Sequence, residues 1–152
     1  MHERLGLRDF TADGMKALYG VEAYIRDCGL DPLLIDLVKM RASQINGCAY
    51  CLAMHSRDAR GRGESEQRLY LLDAWRESSL YTARERAALA WTEAVTRIAE
   101  THAPDSVYEE VRQHFTEKEL GDLTVLIGMI NLWNRLCIAF RSQYPDEAKQ
   151  AA

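Results

Sequence analysis

The chain has 152 residues, of which 47% are hydrophobic and 28% charged, and its 19 basic and 23 acidic side chains give a formal net charge of -4. This balance predicts a globular rather than a disordered protein, and an acidic chain without a basic run excludes a typical nucleic-acid-binding surface. The length fits a single domain over residues 1–152, which would bury roughly two-thirds of the surface of the unfolded chain.

Targeting and membrane signals are lacking in the sequence. The first ten residues contain no apolar h-region, and the longest nearly apolar stretch, residues 123–133, is far shorter than the roughly 20 residues that span a bilayer. We therefore expect a cytoplasmic protein with no membrane partner. In that reducing compartment a CxxC motif is more typical of catalysis or metal binding than of a structural disulfide.

Helix signals follow one another along the chain, whereas alternating strand patterns are almost absent. A first helix is predicted over residues 13–28. Asp31 and Pro32 then supply an N-cap and a first-turn proline for a second helix, which Asn46 and Gly47 end.

Two capping boxes mark later helices, Thr82 with Glu85 and Thr116 with Glu119. The remaining predicted helices cover 48–60, 64–77, 82–100, 104–115 and 117–141. The last is apolar nearly all round, which predicts burial in the core or between subunits. The fold class is therefore predicted as all-α.

One of the predicted helices carries a group of thiol and imidazole side chains. Cys48 and Cys51 are three residues apart, and His55 follows four residues later, so all three share one face of the third predicted helix. The spacing predicts a thiol site with a histidine beside it.

Two features of the sequence can lower a thiol pKa here. Cys48 follows the Asn46-Gly47 break, so it falls in the first helical turn, where unpaired N–H groups favour an anion. His55 can accept the proton of Cys51, and Asp36 on the preceding helix is a candidate to orient the histidine. The helix dipole favours Cys48 as the more acidic thiol and the base favours Cys51, so the residues alone leave the roles of the two cysteines open.

Three interpretations of Cys48, Cys51 and His55 compete. Two buried structural cysteines beside a surface histidine are one of them. A metal site is another, but structural zinc usually takes four ligands, and the sequence offers no second CxxC and no HxxxH. A redox-active dithiol fits the spacing best, so no bound metal is expected.

The run of residues 37–55, which contains this motif, resembles the core of the carboxymuconolactone decarboxylase superfamily in its AhpD-like alkylhydroperoxidase branch. The similarity continues at residues 58–60, 66–69, 84–90 and 130–135. The true decarboxylases generally lack the cysteine pair, so its presence favours the peroxidase-like branch.

The resemblance implies an all-helical protein that forms homo-oligomers, often trimers or hexamers, and that reduces hydroperoxides without a bound cofactor. In the family the second cysteine of the pair is peroxidatic, which here is Cys51. Cys48 would close the disulfide, His55 would accept the proton, and a thiol or dithiol electron donor would reduce the pair again.

This chain departs from the family pattern at two positions. The relay glutamate of the family falls at Asp36, whose side chain is shorter. Tyr50 stands where well-characterised peroxidase members carry a second histidine, and a tyrosine with an ordinary pKa of ~10 is no base at neutral pH.

The leading hypothesis is thus a thiol-dependent peroxidase-like oxidoreductase. The alternatives are a non-enzymatic redox sensor and a lyase, such as a decarboxylase, on the same fold. Cys28 and Cys137 are predicted to be core residues, and Arg41 is expected to pair with a buried acidic residue. Asn131 and Asn134 place polar groups in an apolar helix and need partners, for which a subunit interface is one possibility.

Overall fold

The computed structural model describes residues 2–6, 9 and 11–144. Within residues 11–144 the regular structure is helical, with no strand, which agrees with the predicted all-α class. The prediction of one domain over 1–152 also includes residues outside the described ones, and it stays a prediction. The helices are α1 Ala12–Asp27, α2 Pro32–Asn46, α3 Ala49–Gly61, α4 Glu66–Leu71, a 3₁₀ turn Leu72–Ala74, α5 Ala83–Thr96, α6 Ile98–Thr101, α7 Asp105–Val111 and α8 Glu117–Phe140.

Helices with strong capping signals begin where the sequence predicts. The Asp31 carboxylate accepts the N–H groups of Leu33 and Leu34 at 2.8 and 3.0 Å, and α2 ends at Gly47, whose φ of 70° is the left-handed conformation that glycine adopts without strain. Both predicted capping boxes are formed, at the starts of α5 and α8. These starts are local features, since every group involved lies within one turn.

The predicted helix over residues 64–77 is wrong in extent. Ser65 caps α4 by accepting the Arg68 N–H at 3.2 Å, and α4 gives way to a 3₁₀ turn after Leu71. The guanidinium of Arg86, on α5, donates to the carbonyls of Trp75, Arg76 and Ser78 at 2.8–3.0 Å. These bonds satisfy carbonyl groups of the irregular segment that follows the 3₁₀ turn.

Two further predicted helices end early. The one predicted to reach residue 100 ends at Thr96, and a separate turn, α6, follows; there the Thr101 hydroxyl donates to the Ala94 carbonyl at 2.7 Å. The one predicted to reach residue 115 ends at Val111. Arg84 donates to the His114 carbonyl beyond it, so a side chain from α5 satisfies that part of the chain.

The core is built around α2 and α8. Helix α2 packs against α3, α5 and α8, while α8 also packs against α1, α3 and α5. The largest buried cluster joins α2, α5 and α8 through fully buried aliphatic side chains such as Val38, Leu123 and Ile127. Each such side chain contributes roughly 1.5–3 kcal/mol on burial, so the arrangement of these helices is strongly determined.

Helix α8 is long and apolar enough to cross a membrane by length and composition alone. Its position accounts for that composition, because its inward residues fill the core between α1, α2 and α5. The predicted burial of this helix is confirmed for its inward face, whereas its opposite face, with Val125 and Leu132, is exposed. The cytoplasmic location stays a prediction.

Arg41 is buried on α2 and pairs with acidic residues, as expected. Its guanidinium lies 2.8 Å from the Glu93 carboxylate on α5 and also donates to Asp73 in the 3₁₀ turn. This pairing satisfies a buried charge and ties α2 to two other elements, so Arg41 has a structural role.

Candidate active site

The thiol site begins at the break between α2 and α3. Gly47 ends α2, and Cys48 is the N-cap of α3, one residue before the first turn in which the sequence placed it. Its Sγ accepts the Cys51 N–H at 3.4 Å, in the way a serine or aspartate side chain caps a helix. The effect predicted from the helix N-terminus still applies, because the sulfur accepts an N–H group that has no carbonyl partner in the helix, and this bond favours a thiolate.

The two motif cysteines are in direct contact. The Sγ atoms of Cys48 and Cys51 lie 2.6 Å apart, and each side chain is only 1% exposed. A disulfide bond is about 2.05 Å long, so oxidation requires a movement of less than one ångström. The spacing predicted to bring these residues together on one helical face therefore does so.

A third thiol, Cys137 of α8, completes a buried cluster. The Sγ atoms of Cys48, Cys51 and Cys137 all lie within 4.8 Å of one another. The prediction that Cys137 is a core residue is correct as to burial but overlooks this contact. The only sequence signal was that Ile130, Asn134 and Cys137 recur on one face of the last helix, which does not reveal what the face meets.

Hydrogen bonding within the cluster separates the acidities of the three thiols. Bonds with Cys137 and then Cys51 hold the pKa of Cys48 well below its usual range. The bond with Cys137, followed by that with Cys48, raises the pKa of Cys51, and the bond with Cys48 raises the pKa of Cys137 to about 11. The directions of these pKa shifts favour Cys48 over Cys51 and Cys137 as the thiolate of the reduced cluster.

His55 lies on α3 one turn beyond Cys51 and is 6% exposed. Burial, followed by the nearby charge of Lys39, lowers the imidazole pKa to about 3. At neutral pH the ring is uncharged and keeps a lone pair that can accept a proton. A thiolate at Cys48 opposes this lowering, so the imidazolium is most favourable when a thiolate is present.

Asp36 is buried on α2, and its carboxylate binds Arg62 at 2.7 Å. Arg62 is the C-cap of α3, so the pair fastens the end of the motif helix to α2. Among the described residues no hydrogen bond joins Asp36 to His55. Burial raises the Asp36 pKa and Arg62 opposes that rise.

A buried amide network holds α2 against α8 beside the thiols. The Asn46 Nδ2 donates to the Oδ1 atoms of Asn131 and Asn134 at 2.9 and 2.8 Å, and Asn134 donates to Ser43 at 3.0 Å. The polar groups of the last helix thus find partners within the chain, and no subunit interface is needed for them. Because Asn46 lies two residues before Cys48, the network fixes the position of the thiols relative to α8.

Half-buried aromatic side chains lie next to the cluster. Tyr50 and Trp133 pack against the apolar group that contains the three cysteines. The Tyr50 ring meets that of Tyr144 edge to face at 5.5 Å, and the Arg57 guanidinium lies over the Tyr144 ring at 5.4 Å. The position predicted to depart from the family is therefore occupied by an aromatic group that packs over the thiols.

The same three cysteines are the described residues that could supply sulfur ligands to a soft metal ion. A tetrahedral zinc site would need a fourth ligand. The low pKa of Cys48 and the neutral His55 are also features that favour thiol redox chemistry.

Comparison with known proteins identifies the family of this chain. The profile of the carboxymuconolactone decarboxylase family matches residues 11–94, and the chain belongs to that family. The uncharacterized protein YdfG of Bacillus subtilis is 41% identical over 139 residues, which is 91% of this chain and 95% of that protein.

Solved structures place the chain in the AhpD-like branch of the family. A putative antioxidant defence protein AhpD from Agrobacterium tumefaciens, of unknown function, is 46% identical with a TM-score of 0.93, over 95% of this chain and 99% of that one. An uncharacterized peroxidase-related protein from Silicibacter sp. TM1040 is 25% identical with a TM-score of 0.80, over 91% of this chain and 73% of that one.

Proposed function

We propose that this protein is a thiol-dependent peroxidase-like oxidoreductase that works through a Cys48–Cys51 dithiol–disulfide cycle. The observation that supports this most is the contact of the two sulfurs, 2.6 Å apart at a helix N-terminus, with a neutral histidine one turn away. The substrate would be a hydroperoxide and the reductant a thiol or dithiol electron donor, with no bound cofactor.

The different acidities of the thiols suit different steps. Cys51 loses its proton to His55, attacks the terminal peroxide oxygen, and becomes a sulfenic acid as the O–O bond breaks and an alcohol or water leaves with a proton. The raised pKa of Cys51 makes its thiolate a strong nucleophile but a scarce one, so the attack depends on removal of the Cys51 proton by His55.

Cys48 then attacks the sulfenic sulfur, which forms the disulfide and releases water. When an external thiol attacks Cys51 to reduce the disulfide, Cys48 departs, and a thiol of low pKa leaves fastest. In this scheme Asp36 acts on the helix that carries His55 by holding Arg62, and it is a positioning residue.

Peroxide consumption by the reduced protein tests the proposal. With a dithiol reductant in excess and free thiols counted at intervals, we expect many peroxides reduced per chain and a Cys48–Cys51 disulfide once reductant is exhausted. The absence of any peroxide-dependent thiol loss would contradict the proposal.

The rival function is a redox sensor, and the burial of both thiols favours it, because a site that is 1% exposed admits substrate only after movement. A sensor would form the disulfide once and change shape or partner contacts without further peroxide consumption. The same experiment therefore separates the two functions by turnover number.

The proposal includes self-association as a trimer or hexamer, and the surface of α8 supports it. Gly121, Val125, Gly128 and Leu132 follow at helical spacing along its exposed side, and the space around both glycines is open. Glycines let a second backbone approach closely, and the two aliphatic side chains supply apolar area.

Leu132→Glu is expected to lower the mass of the assembly, because a charge in such an interface must be desolvated. Sedimentation velocity measures the effect. Ile98→Glu, at an exposed apolar residue on α6, is the matched control. An unchanged assembly in Leu132→Glu would remove this stripe from the interface.

A further inference from the structure

Cys137 is a thiol that neither the CxxC motif nor the proposed cycle uses. It lies on α8, far from Cys48 and Cys51 in sequence, yet its Sγ is within 4.8 Å of both of theirs. Forming a disulfide requires the sulfurs to approach to about 2.05 Å. A change of χ1 rotamer moves an Sγ atom by about 3 Å, so a side-chain rotation is enough in principle.

The backbone on both sides of this contact is well fixed. The Asn46–Asn131 and Asn46–Asn134 bonds join α2 to α8 at the level of the thiols. These bonds hold the α8 backbone beside the segment that carries Cys48. The remaining cysteine, Cys28, is different, because its thiol contacts the Ile25 carbonyl at 3.0 Å and lies outside the cluster.

We propose that Cys137 is a third redox-active thiol of the site, which forms a disulfide with Cys51 or Cys48 when the partner within the motif is absent or already used. The proposal rests on the proposed function only where peroxide is the oxidant, since the contact itself allows disulfide formation with any thiol oxidant.

Two reactions can form the disulfide with Cys137, and both balance in atoms and electrons. A sulfenic acid at Cys51 condenses with the Cys137 thiol, so an S–S bond forms, the S–OH bond breaks and one water leaves. Alternatively, the Cys137 thiolate attacks the Cys48–Cys51 disulfide at Cys51 and expels the Cys48 thiolate, without net oxidation. The second route transfers the disulfide from the α3 turn to a link between α3 and α8.

A set of cysteine variants tests this inference, each built on Cys28→Ser so that three thiols remain. The proteins are reduced and treated with diamide, which takes two electrons and two protons from a thiol pair, and in parallel with one equivalent of hydrogen peroxide. Thiols are then alkylated and disulfides mapped by mass spectrometry. In Cys48→Ser we expect a Cys51–Cys137 disulfide in most chains. Adding Cys137→Ser leaves Cys51 as the one thiol, so any loss of that thiol measures oxidation other than an intramolecular disulfide.

Folded Cys48→Ser protein that keeps Cys51 and Cys137 free after diamide treatment would overturn the inference. If a variant loses its helical circular dichroism, the inference is tested instead on the Cys28→Ser protein, which keeps all three cluster cysteines. It is oxidised partially and quenched in acid. A minor disulfide to Cys137 would support the inference, and Cys48–Cys51 alone would refute it.

The two oxidants separate this inference from the proposed function. A Cys137 disulfide formed with diamide, in a protein that does not turn over peroxide, would leave Cys137 as a redox thiol and refute the peroxidase. If the protein turns over peroxide but forms no Cys137 disulfide with either oxidant, the peroxidase proposal would stand and the inference about Cys137 would be refuted.

Discussion

Replacing Cys51 by serine is expected to lower peroxide consumption at least about a thousandfold, because the first step then has no nucleophile. Cys48→Ser combined with Cys137→Ser, which removes both thiols that can close a disulfide with Cys51, is expected to keep that first step, with one peroxide consumed per chain at near the normal rate, and to lose repeated turnover. Stopped-flow measurement of the first oxidation, followed by steady-state assay with a dithiol reductant, separates the two effects.

The matched control is Cys28→Ser, which removes a half-buried thiol outside the cluster and should leave both rates unchanged. The reverse pattern, a first oxidation that survives in Cys51→Ser but not in Cys48→Ser, would assign the attack to the thiol that carries the charge in the reduced cluster. Equal and mild losses in both variants would contradict the dithiol cycle altogether.

The sequence predicts those parts of the fold whose determinants are close together in the chain. Asp31 with Pro32 and the Thr116–Glu119 capping box each act within one helical turn, and the structure confirms both helix starts. Helix ends are harder, because distant side chains set them. In the last turn of α4 the Arg68 carbonyl accepts the hydroxyl of Tyr81, a distant contact that no local pattern reveals.

The same distinction between local and distant determinants applies to the residues of the site. Cys48, Cys51 and His55 share one helical face by spacing alone, so they could be found from the sequence. Cys137 could not, because its contact depends on how α8 crosses α3. Asp36 was predicted to orient His55, but its carboxylate binds Arg62 instead, and that bond depends on where α3 ends against α2.

His55→Gln is expected to lower the rate of the first oxidation about a hundredfold, the size of effect typical for loss of a general base. Glutamine keeps a polar side chain of similar reach but cannot take up a proton. Asp36→Asn is the matched comparison, and its expected loss is much smaller, because Asp36 binds Arg62 rather than the imidazole. Equal rates in His55→Gln and the unmodified protein would remove His55 as the proton acceptor.

Stability at acid pH gives a second, independent measure of the state of His55. Its pKa is about 3 in the folded protein and about 6.5 when unfolded, so between these values the unfolded chain binds the extra proton. The contribution of His55 to the free energy of unfolding is therefore complete above about pH 6.5. It falls below that pH by up to about 1.4 kcal/mol per pH unit. Urea denaturation of the unmodified protein should show this decline, and His55→Gln should lack that part of it.

These two measurements together decide what the histidine does. A protein whose acid sensitivity depends on His55 but whose oxidation rate does not would hold a buried neutral histidine for packing alone. Suppose instead that His55→Gln loses both the acid sensitivity and the fast oxidation, while Asp36→Asn stays close to normal. The imidazole would then take the thiol proton, and the Asp36 carboxylate would secure the helix that carries His55. That second result is the one the arrangement of Cys51, His55 and the Asp36–Arg62 pair leads us to expect.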